Sequence, residues 1–153
     1  MDMEIKIRDA KINDSSYIVD FQMAMALETE DLILERSTLS KGVTAVLEDP
    51  SKARYFIAEG DGEPVGMLMI TTEWSDWRNR WVWWIQSVYT SPECRKMGIY
   101  KLLYEHVKEV VSNADNIGGI RLYVDKRNTR AQAVYENLGM NGDHYATFEW
   151  MKE

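Results

Sequence analysis

Residues 5–8, Ile-Lys-Ile-Arg, alternate apolar and polar positions, the period of a strand with one buried face. The period then lengthens. Asn13 or Asp14 can cap a helix that carries Ile18, Phe21 and Met25 on one side, and Leu39, Val43, Val46 and Leu47 mark a second short helix stopped by Pro50. Residues 26–31, with Glu28, Glu30 and Asp31, fall in or beside an acidic connection between these helices. Strand-like runs over 54–59 and 64–72 flank Gly60-Asp61-Gly62-Glu63, and so short a turn predicts an antiparallel hairpin. A polar loop with aromatic residues over 74–80 leads into a strand at 81–90. From about Gly98, Ile99, Leu102, Leu103, Val107, Val110 and Val111 recur at helical spacing. A turn-rich loop over 113–119 precedes a strand at 120–124, a fourth helix, and a terminal hairpin ending at 145–150.

The resulting order, βααβββαβαβ, defines a mixed α/β fold with a largely antiparallel front half and a strand-helix-strand crossover behind it. A chain of 153 residues, 45% hydrophobic, is expected to form one domain over 1–153. The net charge of −7 excludes a general nucleic-acid binder, which needs a basic surface; the excess carboxylate either attracts a cationic substrate or only keeps the chain soluble. The first residues lack the apolar block of a secretory signal, and no apolar run is long enough to span a bilayer. With one cysteine, Cys94, and two histidines, neither a disulfide nor a metal centre is expected, and the chain reads as cytoplasmic with no membrane partner.

The chemistry concentrates where the strand at 81–90 breaks at Pro92 and a helix begins near Gly98. Arg95, Lys96 and Lys101 supply positive charge, Gly98 permits close backbone approach, and the helix start offers N–H groups at a favourable dipole end. This combination suits a pyrophosphate. Neither the triphosphate motif G-x-x-x-x-G-K-[ST] nor the dinucleotide motif G-x-G-x-x-G occurs. What does occur is Arg95-x-x-Gly98-x-Tyr100. It resembles the acyl-CoA loop Q/R-x-x-G-x-G/A of the GNAT family of N-acetyltransferases, with Tyr100 in place of the last small residue. A bulky residue there implies that backbone amides from Met97 to Lys101, Ile99 among them, do most of the holding.

A second segment, Asn128-x-x-Ala131-x-x-x-Tyr135-Glu136-x-x-Gly139-Met140, resembles the same family's N-x-x-A-x-x-x-Y-E-x-x-G-F/M pattern. Independently of the family, Asn128 suits an N-cap and Gly139 a left-handed helix end. The resemblance implies acetyl-CoA as cofactor and a cleft between two splayed central strands that admits the pantetheine arm. It also implies backbone amides near Val88, Tyr89 and Thr90 as partners of the thioester and the arm, and Tyr135 as proton donor to the departing thiolate. Asn128 then contacts the arm, orients the loop, or simply caps its helix, and Ala131 follows it in the motif.

The acceptor side is less defined. Some polyamine acetyltransferases of the family carry a glutamate where this chain has Gln86, so Glu73 is the nearest carboxylate base, with Glu28, Glu30 and Asp31 at the acceptor mouth. Five of the six tryptophans lie between positions 74 and 84. Alternation puts Trp81 and Trp83 on one face and Trp84 on the other. Trp74 and its neighbours form an aromatic wall for the substrate, core packing, or a homodimer surface. Cys94 has no evident base partner for a covalent route. The expected activity is direct transfer of acetyl to the primary amine of a small, polyamine-like molecule. A peptide or protein amine, or an acyl-CoA-binding module without catalysis, are the competing readings.

Overall fold

The computed structural model describes residues 3–152; Met1, Asp2 and Glu153, at the limits of the expected domain, lie outside the described residues. The chain divides into two compact units, Met1–Leu122 and Tyr123–Glu153.

The first unit holds a five-stranded sheet in the order β1-β2-β3-β4-β5, namely β1 (Ile5–Asp9), β2 (Arg54–Gly60), β3 (Glu63–Ser75), β4 (Arg80–Thr90) and β5 (Ile117–Leu122). The first four strands pair antiparallel and β5 joins β4 in parallel. Helices α1 (Ser15–Glu30) and α2 (Arg36–Glu48) connect β1 to β2, and α3 (Ile99–Asn113) makes the crossover from β4 to β5. β2 turns into β3 through Asp61 and Gly62, both at positive φ (50° and 85°), the backbone twist that tight hairpins favour. β3 runs to Ser75 and β4 starts at Arg80, so the expected loop at 74–80 shrinks to four residues.

Each sheet face has its own cover. Ile18, Val19 and Phe21 of α1 and Val43 of α2 pack with Tyr55, Ile57, Met67 and Tyr89. On the opposite face Phe56 meets Trp83 and, edge-on, His106 of α3, with Leu68, Ile70, Ile99, Leu103 and Val107 almost fully buried. A paired set of charges fastens β1 to the start of α1. Asp14 accepts from both terminal nitrogens of Arg8, at 2.8 and 3.0 Å, and from the Lys11 N–H at 2.7 Å. Helix α1 continues through Ala26–Glu30 and ends at Asp31 in the left-handed region (φ 51°). Glu28 and Glu30 therefore belong to its last turn, beside the connection to α2 and not in it.

The second unit contains α4 (Thr129–Asn137). Asn128 caps it, accepting from the Ala131 N–H at 3.0 Å, and Gly139 ends it at φ 88°. The Gly139 N–H donates to Glu136 O and the Met140 N–H to Tyr135 O, the paired bonds of a glycine-terminated helix. The terminal hairpin expected at 145–150 does not form: these residues belong to no strand, and Tyr145, Phe148 and Trp150 are exposed. Their apolar periodicity reports strand propensity, but propensity without a paired neighbour does not make a strand.

Candidate active site

Two register features shape β4. Ile70 pairs with Ile85 while Met69 pairs with Ser87, so Gln86 is an extra residue without an opposite number on β3, a β-bulge. Because Ile70 and Met69 point to opposite faces, Trp83 and Ile85 face α3, whereas Ser87 and Tyr89 face α1. The contacts agree. Gln22 of α1 donates to Ser87 Oγ at 3.0 Å within the core, and Phe21 stacks on Tyr89. The second feature is that pairing between β4 and β5 ends at Ile85 and Leu122. Beyond it, among the described residues, Ser87, Val88, Tyr89 and Thr90 pair with β3 alone, so that stretch of β4 carries no second strand on its other edge.

That open edge runs directly into the loop before α3. Lys96 and Gly98 both adopt positive φ (69° and 75°), folding the backbone toward the start of the helix. Among the described residues no side chain caps α3, which leaves its positive dipole end facing the loop. A Cβ built on Gly98 meets nothing within 4 Å, so the glycine is required by its conformation, and the space above it is open to a ligand. Gly66 is different: a Cβ there would come within 2.9 Å of the Tyr89 carbonyl oxygen and 3.3 Å of Ile99, so it lets β3 lie close under the end of β4. An open strand edge followed by an uncapped helix N-terminus with Lys96 and Lys101 beside it fits a long amide-bearing arm ending in a pyrophosphate.

Arg95 takes a more specific position than a general cation. Its Nε donates to Thr90 O at 3.0 Å, its Nη2 donates to Glu28 Oε2 at 2.7 Å, and its guanidinium lies 5.4 Å from the Tyr89 ring centroid. Glu28 is thereby a partner of the cofactor loop. Tyr89 is buried; its phenol pKa is raised first by burial and then by Glu28. The Cys94 thiol, 4% exposed, is pushed up by burial and by Glu93, the reverse of what a nucleophile requires.

On the α1-side face, past the cover of the helices, three strands contribute one polar set. Glu73 on β3 accepts from the Trp84 indole N–H of β4 at 3.1 Å and from Arg121 of β5 at 3.0 Å, and Gln86 Nε2 donates to Thr71 Oγ1 at 2.7 Å. The Arg121 guanidinium also lies 5.8 Å from the Trp84 ring centroid. Glu73 and Gln86 thus share a face, but Trp74 does not: it pairs with Trp81 on the α3 side, ring centroids 5.1 Å apart. Glu30 and Asp31 are exposed at the end of α1. Arg121 and Thr71 escaped the sequence reading, although a lone arginine between Ile120 and Leu122 was a signal, since a charge inside a strand needs a partner.

In the second unit, Asp125 holds Arg127 at 2.8 Å and also accepts its backbone N–H, bonds that keep the carboxyl pKa at about 2. Gln132 reaches back to Lys126 O at 2.9 Å, fixing the turn ahead of Asn128. Arg127 is therefore committed within its own turn. Tyr135 occupies the middle of α4, with Ala131 one turn before it.

The comparisons agree with this geometry. The acetyltransferase (GNAT) family matches residues 15–140, and the chain belongs to that family of acetyl-CoA-dependent N-acetyltransferases. A solved "possible acetyltransferase" from Clostridium difficile 630 is 40% identical, with a TM-score of 0.92 over 97% of this chain and 98% of that one. Two more distant structures share the fold. A ribosomal-protein-alanine N-acetyltransferase from Brucella melitensis biovar Abortus 2308 is 14% identical, with a TM-score of 0.79 over 97% of this chain and 100% of that one. An aminoglycoside N-acetyltransferase in complex with CoA is 15% identical, with a TM-score of 0.80 over 99% and 97%. No curated protein matches the chain. Among the described residues, no helix is long and apolar enough to cross a membrane.

Proposed function

We propose that this chain acetylates the primary amine of a small cationic molecule, working as one catalytic domain, in the cytoplasm, as a homodimer. The observation that carries the reading is the β4 edge left open at Ser87–Thr90 by the end of β5 pairing and leading into the uncapped α3. Acetyl-CoA, when bound, supplies an acetyl thioester activated toward amines. Val88, Tyr89 and Thr90 hold the arm through backbone groups, and Lys96 to Lys101 hold the pyrophosphate. Asn128 and Ala131 are assigned to the same cofactor by their motif. The bulge at Gln86 re-aims the amides that follow it, a device for setting donors on a developing oxyanion.

On the acceptor side, Glu73 accepts two hydrogen bonds and keeps further lone pairs for an incoming ammonium. An alkylammonium of pKa about 10.4 must lose a proton before it attacks, and Glu73, directly or through water, is our candidate to take it. Gln86 and the carboxylates of Glu30 and Asp31 are proposed to steer the same cation. Tyr135 Oη supplies the proton to the leaving sulfur. The test is to mix the protein with acetyl-CoA and a panel of polyamines, aminoglycosides, amino acids and peptides while following free thiol. Thiol release on a small amine supports the reading. Release only on peptides moves the acceptor to a protein N terminus, and CoA binding with no release on any amine reduces the chain to a binding module.

A further inference from the structure

The far end of the β3–β4 hairpin lies ten residues up β4 from the cofactor loop, about 33 Å away at the usual strand rise. It carries an apolar knob and an apolar hole. The knob is Trp77, 93% exposed in the four-residue turn. The hole is a cavity of about 290 Å³ lined by Pro50, Ala53, Ile70, Thr72 and the indole of Trp83, with Ser51 and Arg54 at its rim. Its volume is at the lower limit of small-molecule clefts, room for one side chain rather than a cofactor. Between knob and hole stands the edge-on pair Trp74 and Trp81, themselves 50% and 38% exposed.

We infer that two copies of the chain associate about a two-fold axis beside the Trp74–Trp81 pair, with Trp77 of each protomer filling the Trp83-floored cavity of the other. The spacing supports this. Thr72 on the cavity wall and Trp77 are five residues apart, roughly 17 Å if extended, with Trp74 near the midpoint. A rotation there brings each knob to the opposite hole and closes the assembly, so that no face remains to propagate a fibre. The charges are complementary as well. Arg78 and Arg80 outnumber Asp76 around the knob and, among the described residues, have no carboxylate partner, while Glu48, two residues before Pro50, has no cation, and Arg54 at the rim is already held by Asp9. In area, the three indoles offer roughly 350 Å² of exposed surface per protomer. That is roughly two-fifths of the ~800 Å² per partner of a stable interface, the remainder falling to the cavity wall and the charged rim.

The contact rests on the homodimer proposed above and gives it a surface; it is independent of the acetyl-transfer chemistry, and its test reads assembly alone. Sedimentation of the full chain at micromolar concentration should give a dimer. Trp77→Glu, on a side chain too exposed to matter for the monomer fold, should raise the dissociation constant about thirtyfold or more, as expected for a central aromatic anchor. Ser51→Trp, which fills the hole from within, should do the same. Arg78→Glu should weaken the dimer, and adding Glu48→Lys to it should restore association. A monomeric wild type, or a Trp77→Glu protein as dimeric as wild type, would overturn the assignment, and so would a charge swap that fails to restore association.

Discussion

Arg95 of the cofactor loop donates to Glu28 in the last turn of α1 across 2.7 Å, and the same guanidinium is steadied by Thr90 O. The loop's most conspicuous cation thus already has an anion, and any phosphate that uses Arg95 competes with Glu28. Both side chains are about two-fifths exposed, so the pair contributes about 0.2–1 kcal/mol. Replacing Glu28 with Gln should therefore tighten CoA binding by about two- to fivefold in calorimetry, with less difference at high salt. Arg95→Ala should weaken it. Equal affinities for Glu28→Gln and wild type would mean that Arg95 does not face the phosphate.

Gln86 can be removed without disturbing the core. With it deleted, Ile85 would still oppose Ile70 and Ser87 would still oppose Met69, so Tyr89 would keep its place against Phe21. Only the bulge would go. We expect this variant to fold with a melting temperature close to wild type and to lose acetyl transfer by about a hundredfold or more, the usual effect of misplacing an oxyanion donor. Full activity in the deletion variant would make the bulge a packing adjustment.

That bulge also marks where the sequence stopped being legible. Trp83, Ile85, Ser87 and Tyr89 are all buried and all odd-numbered, so alternation reads them as one face; only the extra residue between Ile85 and Ser87 divides them between two cores. Gly98 and Gly139, by contrast, were readable because a positive φ at a helix end has few solutions, and Asn128 because capping is local. The Arg95–Glu28 and Glu73–Arg121 pairs join residues 67 and 48 positions apart, and no local rule pairs distant charges. The hairpin expected at 145–150 failed for the same reason, since pairing depends on partners that a strand-like run does not itself specify.

Asp14 should control acid stability. Hydrogen bonds from Arg8, opposed by burial and helped by the Lys11 N–H, hold its carboxyl below the usual aspartate range. A pKa lowered on folding means that the folded state binds the proton less well than the unfolded chain. The contribution is then complete above about pH 4 and lost as pH falls through the lowered value. Asp14→Asn should cost about 2 kcal/mol at neutral pH, the loss of a charge-assisted hydrogen-bond set, and should flatten the acid limb of the melting curve. An unchanged acid limb would assign that limb to other carboxylates.

Tyr135→Phe separates proton donation from binding. A phenol O–H can hand its proton to a departing thiolate, and general-acid assistance contributes about 10²-fold or more. We expect kcat to fall by that factor with CoA affinity unchanged in calorimetry. Loss of CoA affinity would make Tyr135 a binding residue, and an unchanged kcat would remove its acid role.

Glu73 tests the acceptor side separately, because its carboxylate both meets the incoming cation and balances Arg121. Glu73→Gln keeps a hydrogen-bond acceptor for the Trp84 indole N–H while removing the charge. Arg121 then presents a positive field to a cationic amine, and like charges brought together at a binding face cost several kcal/mol at most. The expected result is a fall of about 10- to 100-fold in kcat/KM for the amine, carried mainly by its KM, with CoA affinity unchanged. Were Glu73 also the proton acceptor, kcat would fall too and the acidic limb of its pH profile would disappear. A rise in KM alone, with that limb intact, would assign the deprotonation to water and leave Glu73 as the residue that selects for positive charge.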